Sequence, residues 1–326
     1  MLNVEKKSMR DVFGESLIEL FPDYPNLVVL DADLSGSTKS KEFGTRFPER
    51  FFNLGVAEQN MMGMAAGLAS VGMMPVVCSF GVFLSMRAAE QFRQMIAYTN
   101  LNVKVMGHYG GISDSHDGPT HQTTEDLGII RSIPNTTLIV ASDGKEVRTA
   151  LKSAFDHKGP VYLRLCRNPM LEVPMESREF AIGKGYDVIS GKDVAIIAIG
   201  IMVGRAVEAA LTLKNEGVSC RVIAMPSFKP IDRSLVAKAA RETGAVVTAE
   251  EHNIYGGLGS AVAEVLVEEC PVPMERVGIQ DVFAESGTYD GLLERYGLGV
   301  SHIVDKARKV LKRKEIGTTN FTGDRR

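Results

Sequence analysis

One carboxylate in this chain stands where a carboxylate has little structural reason to be. Glu58 follows Gly55-Val56-Ala57 and opens a run containing Gly63, Ala65, Ala66, Gly67, Ala69 and Gly72. A helix that smooth packs closely against another backbone, so an acid buried at its first turn suggests chemistry rather than solvation. A lone glutamate in such a turn is by default a surface group. Its neighbours in sequence change the reading. Ser79-Phe80-Gly81-Val82-Phe83 follows an apolar run, with Phe80, Phe83 and Met86 at i, i+3 and i+6. Aromatics at that spacing are ordinarily core, yet these lie on the turn after a strand. Further on, His108, His116 and His121 fall within fourteen residues, in a loop that also holds Asp114 and Asp117. Imidazoles gathered beside carboxylates suit proton transfer to and from substrate oxygens.

The elements that must position these groups are legible as alternation. Leu27–Leu30 ends in Asp31-Ala32-Asp33, Met74–Cys78 at Ser79-Phe80, Val103–Met106 at Gly107-His108, and Thr137–Val140 at Ala141-Ser142-Asp143; Val161–Leu165 follows one helix later. Short, near-continuous apolar runs separated by helical patterns imply a parallel sheet covered on both faces. Ligands of such sheets bind beyond the carboxyl ends of the strands. Asp33, Phe80, His108 and Arg167 all fall there. A second unit restarts at Val194–Gly200 and continues through helix Val203–Leu213, strand Ser219–Ala224, helix Arg233–Thr243 and strand Ala245–Ala249. Glu250-Glu251-His252-Asn253 and Gly256-Gly257-Leu258-Gly259 then precede another helix.

Composition narrows the class. The 326 residues allow about two domains, and 44% hydrophobic content supplies their cores. With 24% charged residues and a net charge of −3, nothing calls for nucleic acid. No run is long and apolar enough for a membrane span, and the first ten residues lack an apolar signal core. Cys78, Cys166, Cys220 and Cys270 lie far apart without metal spacing, as expected of free thiols in a reducing cytoplasm. The glycine run at Gly256 lacks the G-x-G-x-x-G fingerprint of a dinucleotide site.

The Gly55-Val56-Ala57-Glu58 turn, the Phe80/Phe83 cluster and Asp117-Gly118-Pro119-Thr120-His121-Gln122 together resemble the pyrimidine-binding half of a thiamine-diphosphate enzyme of the transketolase group. The resemblance runs from about Lys7 to about Lys314. It implies an α/β protein of two doubly wound domains. A pyrimidine-binding domain with a parallel sheet over residues 1–168 is joined by a linker, 169–185, to a transketolase C-terminal α/β domain over 186–314. A disordered tail is expected over 315–326.

The resemblance also implies roles. Glu58 is the acid that bonds N1′ of the aminopyrimidine; it must carry a proton near neutral pH, which calls for an apolar surround. Met61 and Met62 are on hand to supply one. Phe80 and Phe83 stack on the ring, Met86 stands where the family has tyrosine, and Asp33 joins the cofactor set. His108, His121 and Asp117 handle donor oxygens and protons, with His116 beside them. The loop departs from the family by one extra residue ahead of Asp117. Arg10, Ser37 and Arg167 match positions that hold a substrate phosphate, where an arginine fork pairs bidentately.

What is missing shapes the expected assembly. The family binds the diphosphate and Mg²⁺ through a Gly-Asp-Gly motif and a later Asn, oxygen ligands for a hard cation. No Gly-Asp-Gly occurs here. The chain is therefore expected to be the C-terminal subunit of a split transketolase, transferring a two-carbon ketol unit between sugar phosphates. It would form a homodimer alone, and an α2β2 assembly with an N-terminal subunit that holds most of the thiamine diphosphate and Mg²⁺ contacts. Alternatives are a 1-deoxy-D-xylulose-5-phosphate synthase-like enzyme, the beta subunit of a 2-oxo acid dehydrogenase, and a non-catalytic relic of the fold.

Overall fold

The structure, a computed structural model, describes residues 8–169, 172–173 and 180–322. Much of the expected linker lies outside the described residues. Twelve strands are described: β1 Leu27–Asp31, β2 Phe51–Asn53, β3 Met74–Phe80, β4 Lys104–His108, β5 Thr137–Val140, β6 Val161–Arg164, β7 Tyr186–Ile189, β8 Val194–Ala198, β9 Cys220–Ala224, β10 Ser227–Lys229, β11 Val246–Asn253 and β12 Met274–Ile279. They form two sheets, ordered β10-β5-β6-β4-β3-β1-β2 and β12-β11-β8-β9-β7. All pairings are parallel except β10 with β5 and β7 with β9, which are antiparallel.

Period-two alternation divides each strand between two helical layers. In β1, Val29 joins Met9, Phe13 and Leu17 of helix Met9–Leu20, whereas Val28 and Leu30 join Met61 and Met62 of helix Glu58–Ser70. In β8, Val194 and Ile196 face the first layer and Ala195 and Ile197 the second. Each core layer therefore passes without a break from one sheet to the other. A strand buried on both faces can be apolar throughout, which is why those runs read as continuous.

Two features differ from the sequence reading. Ser227–Lys229 leaves the second unit to pair with β5, and Val140 N–H donates to Pro226 O at 2.8 Å, closing that edge of the first sheet. Three residues carry no periodicity from which to infer this. The last helix runs Val300–Thr322, through most of the segment expected to be a disordered tail. A helix already nucleated against the core extends at the cost of one ordered residue per hydrogen bond gained; residues 323–326 lie outside the described residues. All four cysteines are free, and Cys78, Cys166 and Cys220 are buried. Among the described residues no helix is long and apolar enough to cross a membrane, and no cluster of metal-ligating side chains occurs.

Candidate active site

The functional side chains gather beyond the carboxyl ends of β1, β3, β4 and β6. Glu58 is the first residue of helix Glu58–Ser70, where the positive end of the helix dipole favours a carboxylate. It is only 1% exposed, and its Oε1 is buried without a hydrogen-bond partner. Its Oε2 accepts from Arg87 Nη1 at 2.8 Å. Met61 and Met62 are fully buried, but the surround is not purely apolar as the sequence implied, because a guanidinium lies against the acid.

The local backbone explains that arginine. Phe83–Arg87 is a π-helical turn, with Ala88 N–H returning to Phe83 O at 3.1 Å. The wider turn brings Arg87 back over Phe83, its Cζ 4.3 Å from the ring centroid. Met86, expected to share a face with Phe80 and Phe83 at α-helical spacing, turns outward and is 44% exposed.

Phe80 ends β3 and stacks on Phe83 at 5.9 Å and on Tyr109 at 4.1 Å, with interplanar angles of 18° and 23°. His121 meets Phe83 edge to face at 5.3 Å and Phe80 at 6.2 Å, and its Nδ1 lies 2.9 Å from Thr120 Oγ1. Asp117 and His116 are exposed on the same loop.

His108 departs from its expected role. Its side chain is 1% exposed and packs edge to face on Phe13 at 4.9 Å, and neither ring nitrogen has a partner. Burial, aided by the charge of Arg10, pushes it down to about 3. A ring held neutral on the Phe13 side of the sheet has no charge to lend near neutral pH. The residue that faces the aromatic slot is its neighbour, Tyr109, which the sequence reading passed over. Tyr109 lies just past β4 with φ +61°, a left-handed turn that strand alternation does not foresee.

Two of the three phosphate candidates, Arg10 and Arg167, lie against Tyr109, and Ser37 meets Arg10 through its backbone carbonyl. Arg10 Nη1 donates to Tyr109 Oη at 2.8 Å and to Ser37 O at 3.5 Å. Arg167 Cζ lies 5.1 Å from the Tyr109 ring centroid, and its Nη1 pairs with Asp114 Oδ1 at 3.0 Å. Asp114 is fully buried, with Oδ2 unpartnered. Burial and the neighbouring Asp117 raise it to about 6, against the pull of Arg167 and His121. Asp33 stands apart from this cluster, exchanging hydrogen bonds with Asn53, whose Oδ1 also accepts from Gly55 N–H at 3.1 Å. It braces the turn that leads to Glu58.

Comparison with known proteins places the two domains in a family. Residues 5–170 match the family model "Transketolase, pyrimidine binding domain" and residues 183–303 match "Transketolase, C-terminal domain". A Methanocaldococcus jannaschii protein named as a transketolase C-terminal section is 45% identical, covering 94% of this chain and 97% of its own. A 6-deoxy-6-sulfo-D-fructose transketolase subunit of a Clostridium species is 42% identical over 96% of this chain and 97% of its own. The 1-deoxy-D-xylulose-5-phosphate synthase 1 of Geobacter sulfurreducens is 40% identical over 91% of this chain but only 47% of its own length. Among solved structures, a split-gene transketolase described as an inactive β4 tetramer superposes with a TM-score of 0.88 at 49% identity, covering 94% of this chain and 99% of that one. An acid at a helix start, a stacked aromatic slot and a histidine loop, on a fold shared over nearly the whole length with these proteins, make this chain a member of the transketolase family, corresponding to its pyrimidine-binding and C-terminal domains.

Proposed function

We propose that this chain is the C-terminal subunit of a split, thiamine-diphosphate-dependent transketolase of the cytoplasm. With an N-terminal subunit carrying the diphosphate and Mg²⁺ ligands, it would transfer a two-carbon ketol unit between sugar phosphates. The observation that carries this reading is Glu58: a buried acid with one oxygen unpartnered, beside a stacked aromatic slot. That donor set fits an aminopyrimidine. The flat ring finds the Phe83 and Phe80 faces, and N1′ finds the carboxyl that would hold its proton. Thiamine diphosphate, when bound, supplies the nucleophilic carbon that adds to a ketose carbonyl and lets the neighbouring carbon–carbon bond break.

The chain's own residues serve that chemistry from three sides. Glu58 bonds the ring, and Arg87 releases it to do so. His121, edge-on to Phe83, moves protons at the substrate oxygens beside the slot, with Asp117 accepting from a substrate hydroxyl. His108, neutral and packed on Phe13, is left out of this set. Arg10 and Arg167, flanking Tyr109, grip the substrate phosphate. The partner reading is supported by exposed apolar side chains near the acid. Val56 lies two residues before Glu58, and half-exposed Met95 lies 3.8 Å from where a Cβ on Gly63 would stand.

The test is product analysis of the purified chain with its N-terminal partner, cofactor and Mg²⁺. Xylulose 5-phosphate with ribose 5-phosphate should give ketol transfer. Pyruvate, with glyceraldehyde 3-phosphate or with an electron acceptor, should not react. Glu58→Gln should lower turnover by orders of magnitude with the fold intact, because an amide can bond N1′ but cannot protonate it. Turnover from pyruvate, or an unaffected Glu58→Gln enzyme, would sink the proposal.

A further inference from the structure

The loop that carries Tyr109, Asp114, Asp117 and His121 is closed by a narrow neck, where Gly111 and Thr123 exchange backbone hydrogen bonds, each 2.8 Å. That neck is held from the other domain. Glu251, in β11 of the second sheet, is 3% exposed and accepts the Ile112 N–H at Oε1, 2.9 Å. The same oxygen accepts from Tyr289 Oη at 3.1 Å. Arg164 fastens the opposite side. Its Nη2 donates to Thr123 O at 2.8 Å and Glu251 O at 3.0 Å, while its Nε pairs with the buried Asp126 at 2.9 Å. The two glycines of the neck have no room for a side chain. A Cβ on Gly110 would stand 2.7 Å from Arg164 Nε, and one on Gly111 2.2 Å from Glu251 Cδ. Gly111 also holds φ +67°, a conformation glycine adopts without strain. Further bonds cross the same boundary, from Asn253 N–H to Thr124 O at 2.8 Å, Gly287 N–H to Ser115 O at 2.8 Å and Gln122 Nε2 to Glu285 O at 3.1 Å.

We infer that the C-terminal domain acts as a template for the substrate loop, and that Glu251 is its positioning residue, setting through the Ile112 amide where Asp114 holds Arg167 for the substrate phosphate. The inference rests on the proposed function and deepens it. Glu251 touches no substrate group; it acts through the backbone two residues ahead of Asp114. A buried amide left without its acceptor would seek another, and the neck would shift with it. Displacements of an ångström at such a site are enough to cost large factors in substrate binding or rate. Burial holds Glu251 at about 7, with Arg164 opposing, so the pair of substitutions that tests the idea is chosen to remove the charge from both variants.

Glu251→Gln keeps an oxygen acceptor at Ile112 N–H; Glu251→Met keeps the volume and loses the acceptor. Both are assembled with the N-terminal subunit and compared with wild type. Glu251→Met should raise KM for the phosphorylated acceptor by roughly tenfold, the size expected for one lost hydrogen bond in a network. Thiamine diphosphate affinity should fall by less than that KM rises, because Thr123, which accepts the Val82 N–H beside the aromatic slot at 2.9 Å, is still fastened by Arg164 in that variant. Hydrogen exchange should quicken across residues 110–117 in that variant alone, and Glu251→Gln should restore both the KM and the protection. Equal KM values in the two variants, or cofactor affinity and fold lost together in both, would make Glu251 a purely structural group and overturn the inference. A wild-type enzyme without ketol transfer would count against the proposed function instead, and the exchange measurement would still judge the neck.

Discussion

Arg87 competes for the acid on which the cofactor reading depends. Its guanidinium is flat, bonds Glu58 at 2.8 Å and covers Phe83 at 4.3 Å, the place an aminopyrimidine would take, although Arg87 donates where N1′ would accept from the acid. The guanidinium is 45% exposed while Glu58 is 1% exposed, so Arg87 can swing into solvent once an incoming ring satisfies the buried acid in its place. Arg87→Ala should therefore tighten thiamine diphosphate binding to the assembled enzyme by about two- to fivefold. Titration calorimetry reads this directly, and weaker binding would mean that Arg87 belongs to the cofactor seat. Arg167 plays the opposite part, lending its charge to the substrate. Arg167→Ala should raise KM for a phosphorylated acceptor by about 10–150-fold, from roughly 1.5–3 kcal/mol for a charged hydrogen bond. The unphosphorylated analogue should be nearly unaffected; equal losses for both would show that Arg167 only braces Asp114.

The helix Glu58–Ser70 is where a residue's chemistry meets its element. A Cβ added at Gly67 would have nothing within 4 Å, and Gly63 would meet only Met95. Within this chain, glycine at those positions is a cost without a return, since glycine weakens a helix interior by about 1 kcal/mol against alanine. Gly67→Ala should then stabilise the isolated chain by about 0.5–1 kcal/mol in a urea titration. If the smooth face exists for a partner backbone, the same substitution should weaken association with the N-terminal subunit, read by analytical ultracentrifugation. A gain in stability with unchanged association would remove that helix from the interface.

At the scale of the molecule, buried titratable groups pull stability in opposite directions with pH. His108, held at about 3, and His252, held at about 4, each fall well below an ordinary histidine, mainly through burial. A depressed group contributes stability that is present above its unfolded value and is lost as pH falls towards its folded one. Glu250 and Glu251, both raised to about 7 by burial, act in the other sense: their contribution is present at low pH and fades as pH rises through 7. The sets cancel over much of the acid range, so only a comparison of variants isolates one group. His108→Phe, which keeps the ring packed on Phe13, should gain on wild type by about 1.4 kcal/mol per pH unit between about pH 6 and 4. Urea midpoints at several pH values check it; parallel curves would mean that His108 takes up its proton while folded. The assembly gives the remaining test. Isothermal titration of the chain alone with thiamine diphosphate and Mg²⁺ should show negligible binding, and addition of the N-terminal subunit should restore it. Tight binding by this chain alone would overturn the split-enzyme reading.

The apolar runs, the Glu58 turn and the Asp117–Gln122 segment were enough, as sequence, to give the two α/β units, eight of the twelve described strands and the family. Each is a local signal, a period or a short motif whose meaning survives without neighbours. Arg10 and Arg167, far apart in the chain, were named by position, and both lie against Tyr109. Tertiary structure alone decided the rest. A π-turn rather than an α-turn put Arg87, and not Met86, over Phe83. A left-handed residue just past β4 carried Tyr109 to the slot, while His108 at the strand end stayed against Phe13. Ser227–Lys229 crossed to the first sheet, and Glu251 reached from the second domain to the loop neck. In every such case the partners are distant in sequence, so the choice rests on which groups burial leaves within hydrogen-bond reach, and that is fixed only once both sheets have packed.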